Sequence, residues 1–251
     1  FYPGGGWVDP AALVRDALAT PGVRWRGGTA VQRIARHGGT WQLFDADDRA
    51  FAEAPLLVLA NADDALRLAA LPRGWLQRQR GQVSHGPSSA AGVPHVPVAS
   101  GGYVLALGNA GLLFGATHQF DDDDANVRDS DHRENLAKAA RLLFDLPLPD
   151  ISTLHGRVGW RTGSADRLPL VGTAPDPRAP WPSRADAPRL LPRQPGLWLH
   201  CGLGSRGLTT AALGAELIAA QASGAPWPLE ADLVDAIDPA RWLLRSGLAP
   251  M

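Results

Sequence analysis

The sequence predicts an α/β framework interrupted by an antiparallel α+β block, and three observations carry that expectation. Leu56-Leu57-Val58-Leu59-Ala60 is a continuous apolar run, the pattern of a strand buried on both faces of a parallel sheet. From Arg80 to Thr117 the texture changes to short strand-like segments divided by glycines, as in an antiparallel sheet. At Trp198–Ser223 a buried strand, a glycine-punctuated turn and an amphipathic run follow one another, and α/β character resumes. These segments divide the chain into residues 1–72, 73–160 and 161–251, with the middle block inserted into a framework built by the outer two. Such a layout places a ligand where the inserted block meets the framework.

Taken in order, Asp9 and Pro10 suit the cap and first position of a helix over Ala11–Ala19, stopped by Thr20-Pro21-Gly22. Val23–Arg26, Ala30–Arg36 and Thr40–Asp45 read as a β-meander with glycine pairs between the strands. After the Leu56–Ala60 strand, Asn61-Ala62-Asp63 turns into a short helix reaching Leu71. Gly81–Ser84, Gly102–Leu105 and Gly111–Thr117 are strand candidates. Asp121–Asp124 reads as a solvated loop, since calcium loops alternate their ligands and need a glycine. Asp131–Phe144 carries helical periodicity through Leu136, Ala139, Ala140 and Leu143, with Pro147 beyond its end. Arg157–Trp160 is strand-like, and the proline-rich 175–195 stretch is expected to be a loop.

Composition narrows the function classes. The 251 residues are 45% hydrophobic and 20% charged, which describes a globular chain with enough apolar material for a core. A formal net charge of −1 gives no global basic footprint of the kind that drives nucleic-acid binding. Cys201 is the single cysteine, which excludes an internal disulfide and a cysteine-built zinc cluster and fits a reducing, cytoplasmic setting. No apolar run has the length to span a bilayer as a helix. His85, His118 and His200 are scattered without ligand spacing, so no metal site is expected.

The chemistry concentrates in Gly202-Leu203-Gly204-Ser205-Arg206-Gly207 and the helix that follows. Free N–H groups and the dipole at a helix start favour negative charge there. An anion, or a group that becomes anionic during reaction, fits over Gly204–Leu208; the plain alternative is a turn that only lets strand and helix pack closely.

Several stretches in order along the chain resemble the D-amino-acid-oxidase-like family of FAD-dependent flavoproteins, and within it the branch that modifies the tRNA wobble uridine. They are GGWVDPAALVRDAL at 5–18, LLVLAN at 56–61, RGQVSH at 80–85, GGYV at 101–104, FGATHQF at 114–120, GRVGWRTGSADRLPLVG at 156–172, LGSRGLTTAALGAELIAAQ at 203–221 and PARWLLR at 239–245. The resemblance implies a partial Rossmann-like FAD-binding domain with an antiparallel-sheet substrate domain inserted. Gly4-Gly5-Gly6, followed by Trp7 and a capped helix, is not the family's N-terminal GxGxxG phosphate loop. That loop is therefore expected upstream of Phe1 in a longer parent, and this chain alone is expected to bind FAD weakly or not at all.

The resemblance also assigns roles. Gly204, Ser205, Arg206, Gly207 and Leu208 would lie at the pyrimidine edge of the flavin, where a helix start stabilises the charge gained on reduction. Val31, Ala60 and Asn61 match positions that approach the adenine and pyrophosphate. Arg161 matches a substrate-carboxylate ligand, a task suited to a planar guanidinium, and Tyr103 matches a pocket tyrosine adding a hydrogen bond. Asp166 and Arg167 read as a local ion pair shaping the turn before Pro169. Gln82 either lines the pocket or ties loop backbones together. The implied reaction is oxidative removal of the carboxymethyl group from carboxymethylaminomethyl-uridine in tRNA, giving aminomethyl-uridine and glyoxylate, with a fused methyltransferase domain as partner. A stand-alone oxidase of glycine, sarcosine or a D-amino acid, and a non-catalytic fragment without FAD, remain the alternatives.

Overall fold

In a computed structural model the structure describes residues 3–88, 94–108, 111–144 and 147–247, so the start at Phe1-Tyr2 lies outside the described residues. The elements run α1 (Pro10–Leu18), β1 (Arg33–His37), β2 (Thr40–Phe44), β3 (Ala50–Ala54), β4 (Leu57–Leu59), α2 (Asp64–Leu68), β5 (Gln77–Gly86), β6 (Val98–Ala99), β7 (Tyr103–Ala106) and β8 (Leu112–Gly115). They continue with β9 (Gln119–Phe120), α3 (Asp129–Leu143), β10 (His155–Gly163), β11 (Leu170–Pro175), β12 (Arg193–Cys201), α4 (Gly207–Ser223), α5 (Ala231–Ile237) and α6 (Arg241–Ser246). Two compact units result. One holds the residues up to Gly27 with Gln79–Trp160; the other holds Gly28–Arg78 with the residues from Arg161 onward.

In the first unit the strands follow the order β10-β5-β8-β7-β6, with β9 paired to β5. Helix α3 covers one face, where Val104, Leu112, Phe114, Ala139 and Leu143 form the apolar core. Beside that core the same face carries a polar stripe. Arg80, Gln82 and Ser84 alternate along β5 and are fully buried. Burying a guanidinium is costly unless it is paired and hydrogen-bonded. Arg80 donates to Asp131 Oδ2 at 2.6 Å, Gln119 Oε1 at 2.8 Å, and the carbonyls of Asp124 and Asn126 at 2.6 Å each. Gln82 accepts from the Arg128 amide at 2.8 Å and donates to its carbonyl at 3.0 Å, so it ties loop backbone and does not line a pocket. Asp122 and Asp124 accept from Arg128 at 2.6–3.0 Å, which closes the aspartate-rich loop on itself. The Asn126 amide and then Arg128 hold the Asp124 carboxyl down at about 2.

Helix α1 forms as its cap predicts, with Asp9 Oδ1 accepting from the Ala11 amide at 2.8 Å, yet none of its residues is buried. Val23–Arg26 is not a strand: it is irregular, with Val23 and Trp25 exposed, because no neighbouring strand covers its apolar side chains. The meander is instead β1-β2-β3, its third strand Ala50–Ala54 being one that the sequence reading passed over.

The second unit is organised on the sheet β11-β12-β4, antiparallel between β11 and β12 and parallel between β12 and β4. Alternation along β12 sends Leu197, Leu199 and Cys201 into one core with Leu66, Trp75, Leu76, Leu170 and Leu243. Trp198 faces the other way, onto Val171, Leu217, Ile218 and Val234. Helix α4 lies close over this side. At Gly214 an added Cβ would stand 2.7 Å from His200 Nε2, so any side chain there would force the His200 ring to move. Strand β4 departs from expectation: Leu59 is buried, but Val58 is 43% exposed. It pairs with β12 on one side only among the described residues, so the run is an edge strand. The 175–195 stretch packs as well as loops, placing Trp181 and Ala185 against the core and starting β12. Among the described residues no helix is long and apolar enough to cross a membrane.

Candidate flavin-proximal site

Parallel strands in open α/β sheets bind ligands beyond their carboxyl ends. In the second unit that end of the β4–β12 pair gathers Ala60, Asn61 and Asp63 from one strand and the Gly202–Gly207 turn from the other. The turn carries the spacing Gly202-x-Gly204-x-x-Gly207, follows a strand and opens a helix. The glycines allow a tight turn and close backbone approach, but only helices follow α4 among the described residues, so the spacing is not the family's phosphate loop.

Gly202 and Gly204 have φ of +67° and +55°, and Gly204–Arg206 forms one 3₁₀ turn before α4. Neither this turn nor α4 has a side-chain cap, so the helix start remains available to an external acceptor. Around Gly204 an added Cβ would meet only the Gly163 Cα, at 3.9 Å. Ser205, Arg206 and Leu208 are exposed, and Gly207 is half-buried.

A bridge between Gly163 and Leu203 ties the end of β10 to this turn and so places Arg161 near it within the same unit. Thr162 turns the opposite way, is buried, and donates to Asp63 Oδ1 at 3.2 Å. Arg161 is half-buried, and among the described residues its side chain has no hydrogen bond or ion pair. The contrast with other sequestered arginines is sharp. Arg67, Arg80, Arg128, Arg193 and Arg241 each pair with a carboxylate at 2.6–2.9 Å.

The remaining expected residues fall as follows. Val31 is half-buried, and its carbonyl accepts from Arg67 at 3.5 Å. Ala60 and Asn61 are exposed, with Asn61 Nδ2 donating to Asp64 Oδ2 at 3.4 Å. Ala62 beside them has φ +58°, an uncommon conformation for a non-glycine residue. Tyr103 belongs to the first unit, half-buried on β7 and opposite Ala99 and Gly115.

The Asp166–Arg167 pair is corrected. Arg167 is exposed, and Asp166 instead accepts from Arg241 at 2.9 and 3.1 Å, from Ser164 at 2.6 Å, and from Arg245. Burial opposes ionisation of Asp166, but the Arg241 and Ser164 hydrogen bonds prevail and hold its carboxyl well below the usual range. Burial pushes the Cys201 thiol up to about 12 and lowers the proton affinity of His200. Among the described residues no group of three or more His, Cys, Asp and Glu side chains is arranged to hold a metal ion.

The sequence matches the FAD dependent oxidoreductase family, DAO, over residues 1–221. The chain belongs to this family. It is similar to the tRNA 5-methylaminomethyl-2-thiouridine biosynthesis bifunctional protein MnmC of Methylibium petroleiphilum, 50% identical over 97% of this chain and 40% of that protein. The protein of the same name from Burkholderia multivorans is 46% identical over 98% of this chain and 39% of its own length. The chain thus spans about two-fifths of the length of these relatives. Among solved structures it resembles glycine oxidase from Geobacillus kaustophilus with a TM-score of 0.63, at 21% identity over 84% of this chain and 51% of that one. That likeness shows the fold.

The cofactor of the family is FAD, and the residues present fit its flavin end. A turn in which Gly204 and Gly207 present bare backbone, and an uncapped helix start, offer backbone donors to an electron-rich ring edge.

Proposed function

We propose that this chain is the flavin-dependent part of a tRNA wobble-uridine-modifying protein, acting on a carboxymethylaminomethyl substituent of the base. The MnmC relatives support the substrate class, and one feature of this structure supports the chemistry: Arg161 is the sequestered arginine left without a carboxylate partner among the described residues. A half-buried guanidinium without an anion is costly, and a substrate carboxylate supplies the missing charge in a two-bond fork.

Bound FAD supplies a two-electron acceptor. The Gly204–Leu208 backbone then stabilises negative charge at the ring edge, and Arg161 fixes the substrate by its carboxylate so that the carbon beside the amine is the one oxidised. Loss of a hydride from that carbon leaves an iminium, and water adds to it. The carbon–nitrogen bond then breaks, giving aminomethyl-uridine and glyoxylate. Val31, Ala60 and Asn61 are assigned to the adenine and pyrophosphate side of the cofactor, and Tyr103 to a hydrogen bond with substrate, on the family resemblance.

The experiment uses the full-length flavoprotein and modified tRNA. Arg161→Ala removes a charged two-bond contact worth about 2–4 kcal/mol, lowering kcat/KM roughly thirty- to thousand-fold with FAD content unchanged. Arg161→Lys restores little, because a point charge does not reproduce the fork. Unaltered kinetics in the alanine variant, or equal turnover on free glycine and on modified tRNA, overturns the reading.

A further inference from the structure

Strands β5 and β10 are neighbours in the first unit's sheet, with β10 at its edge, and neither contains an aspartate or glutamate. Alternation along β10 sets His155, Arg157 and Gly159, all exposed, on one side, while Gly156 points toward α3, where its Cβ would stand 3.1 Å from His132 Cε1. Arg157 has no hydrogen bond or ion pair among the described residues. On β5, His85 sits opposite in facing to Ser84, whose hydroxyl bonds His132 on α3 at 2.8 Å. The His85 and His155 rings meet across the two strands, centroids 5.5 Å apart and planes tilted by 30°. The acids near these strands lie off them and have partners of their own: Asp131 pairs with Arg80, Asp122 and Asp124 with Arg128, and Asp150 accepts from Ser152.

We propose that this patch, His85, His155 and Arg157, docks a single-stranded RNA loop, with a phosphate on Arg157 and an unstacked base on the imidazole pair. The proposal rests on the tRNA reading for the identity of the polyanion. The chemistry itself is local: an exposed guanidinium lacking a counter-charge binds phosphate, and aromatic rings including histidine take bases that have left a helix. At 5.5 Å the rings are too close for a base to enter between them, which needs about 7 Å, so the base stacks on the outer face of the pair. A net charge of −1 confines RNA contact to such a patch, because the chain as a whole does not attract polyanions.

The test is fluorescence anisotropy of this chain with a labelled RNA stem–loop carrying uridine in its loop, at several salt concentrations. Thermal unfolding of each variant serves as a control on folding. Arg157→Ala weakens binding about tenfold and lowers the slope of log affinity against log salt by about one. His155→Ala and His85→Ala weaken binding several-fold with the salt slope unchanged, since stacking releases no counterion. A fully paired RNA duplex competes poorly. The proposal is overturned if the stem–loop does not bind, if the Arg157→Ala slope and affinity match the parent chain, or if the duplex competes equally. Unaltered oxidation in the Arg161→Ala test, with this binding pattern intact, would defeat the proposed reaction alone. The expected loss of oxidation in Arg161→Ala, with a stem–loop affinity indifferent to Arg157, would defeat the docking surface alone.

Discussion

Gly204→Ala separates the two uses a glycine can have at the head of α4. The backbone at Gly204 has φ +55°, so any L-residue there costs about 1–2 kcal/mol. Sterically the site is permissive, since the new Cβ would touch only the Gly163 Cα at 3.9 Å, an ordinary contact. The expected stability loss is therefore close to 1 kcal/mol, a fall in Tm of about 2–4 °C for a chain of this size. Gly202→Ala is the control. Its φ is +67°, and its Cβ would stand 2.6 Å from Leu76 Cδ2 and 3.3 Å from Leu170 Cδ1, both in the buried core. Strain plus overpacking there sums to about 2–4 kcal/mol. If the open side of Gly204 receives the flavin edge, the full-length Gly204→Ala protein loses FAD affinity by about tenfold or more, or shifts the flavin potential. Folded Gly202→Ala keeps both. Thermal unfolding of this chain and FAD titration of the full-length variants give the two readouts. A Gly204→Ala protein with normal FAD affinity and potential refutes the backbone-approach reasoning, and a Tm loss as large as that of Gly202→Ala refutes the steric part.

Acid should destabilise the first unit through His132. Burial lowers its proton affinity, Asp129 and Asp131 oppose that, and His85 and His155 reinforce it. The unfolded chain then takes up the proton first, so stability is full above about pH 6.5 and falls as pH drops toward the folded value. Urea midpoints at several pH values should show this, and His132→Gln should flatten the dependence; an unchanged slope counts against it. Arg80→Met leaves Asp131 buried without a counter-charge, held only by Gln119, and should cost about 3–5 kcal/mol, while Arg80→Met with Asp131→Leu should recover much of it. Equal losses in the single and double variants would contradict that pairing. Arg241→Leu should likewise uncouple α6 from the 164–168 turn, read as faster amide exchange at Leu168, whose N–H bonds Asp166 at 3.1 Å.

What was legible in the sequence was local. The Asp9 cap, the α3 periodicity and the strand–turn–helix of Trp198–Ser223 depend on neighbours within a few residues, and they stand where they were expected. Facing and pairing depend on distant partners. The Leu56–Ala60 run predicts cover on both faces of its sheet, but that cover comes from elements distant in sequence, and Val58 is left 43% exposed. Alternating Arg80, Gln82 and Ser84 look like a solvent stripe, yet α3 brings Asp131, His132 and Asn135 onto them from about fifty positions away. Asp166 finds its cations 75 and 79 residues downstream, so the adjacent Arg167 is irrelevant to it. The same logic gives Arg161 its weight. The family motif singles it out in the sequence, and the structure adds a physical reason: every other buried or half-buried arginine among the described residues has a carboxylate, and it alone does not. That every other sequestered guanidinium is neutralised internally supports the proposal that this one receives an anion from outside.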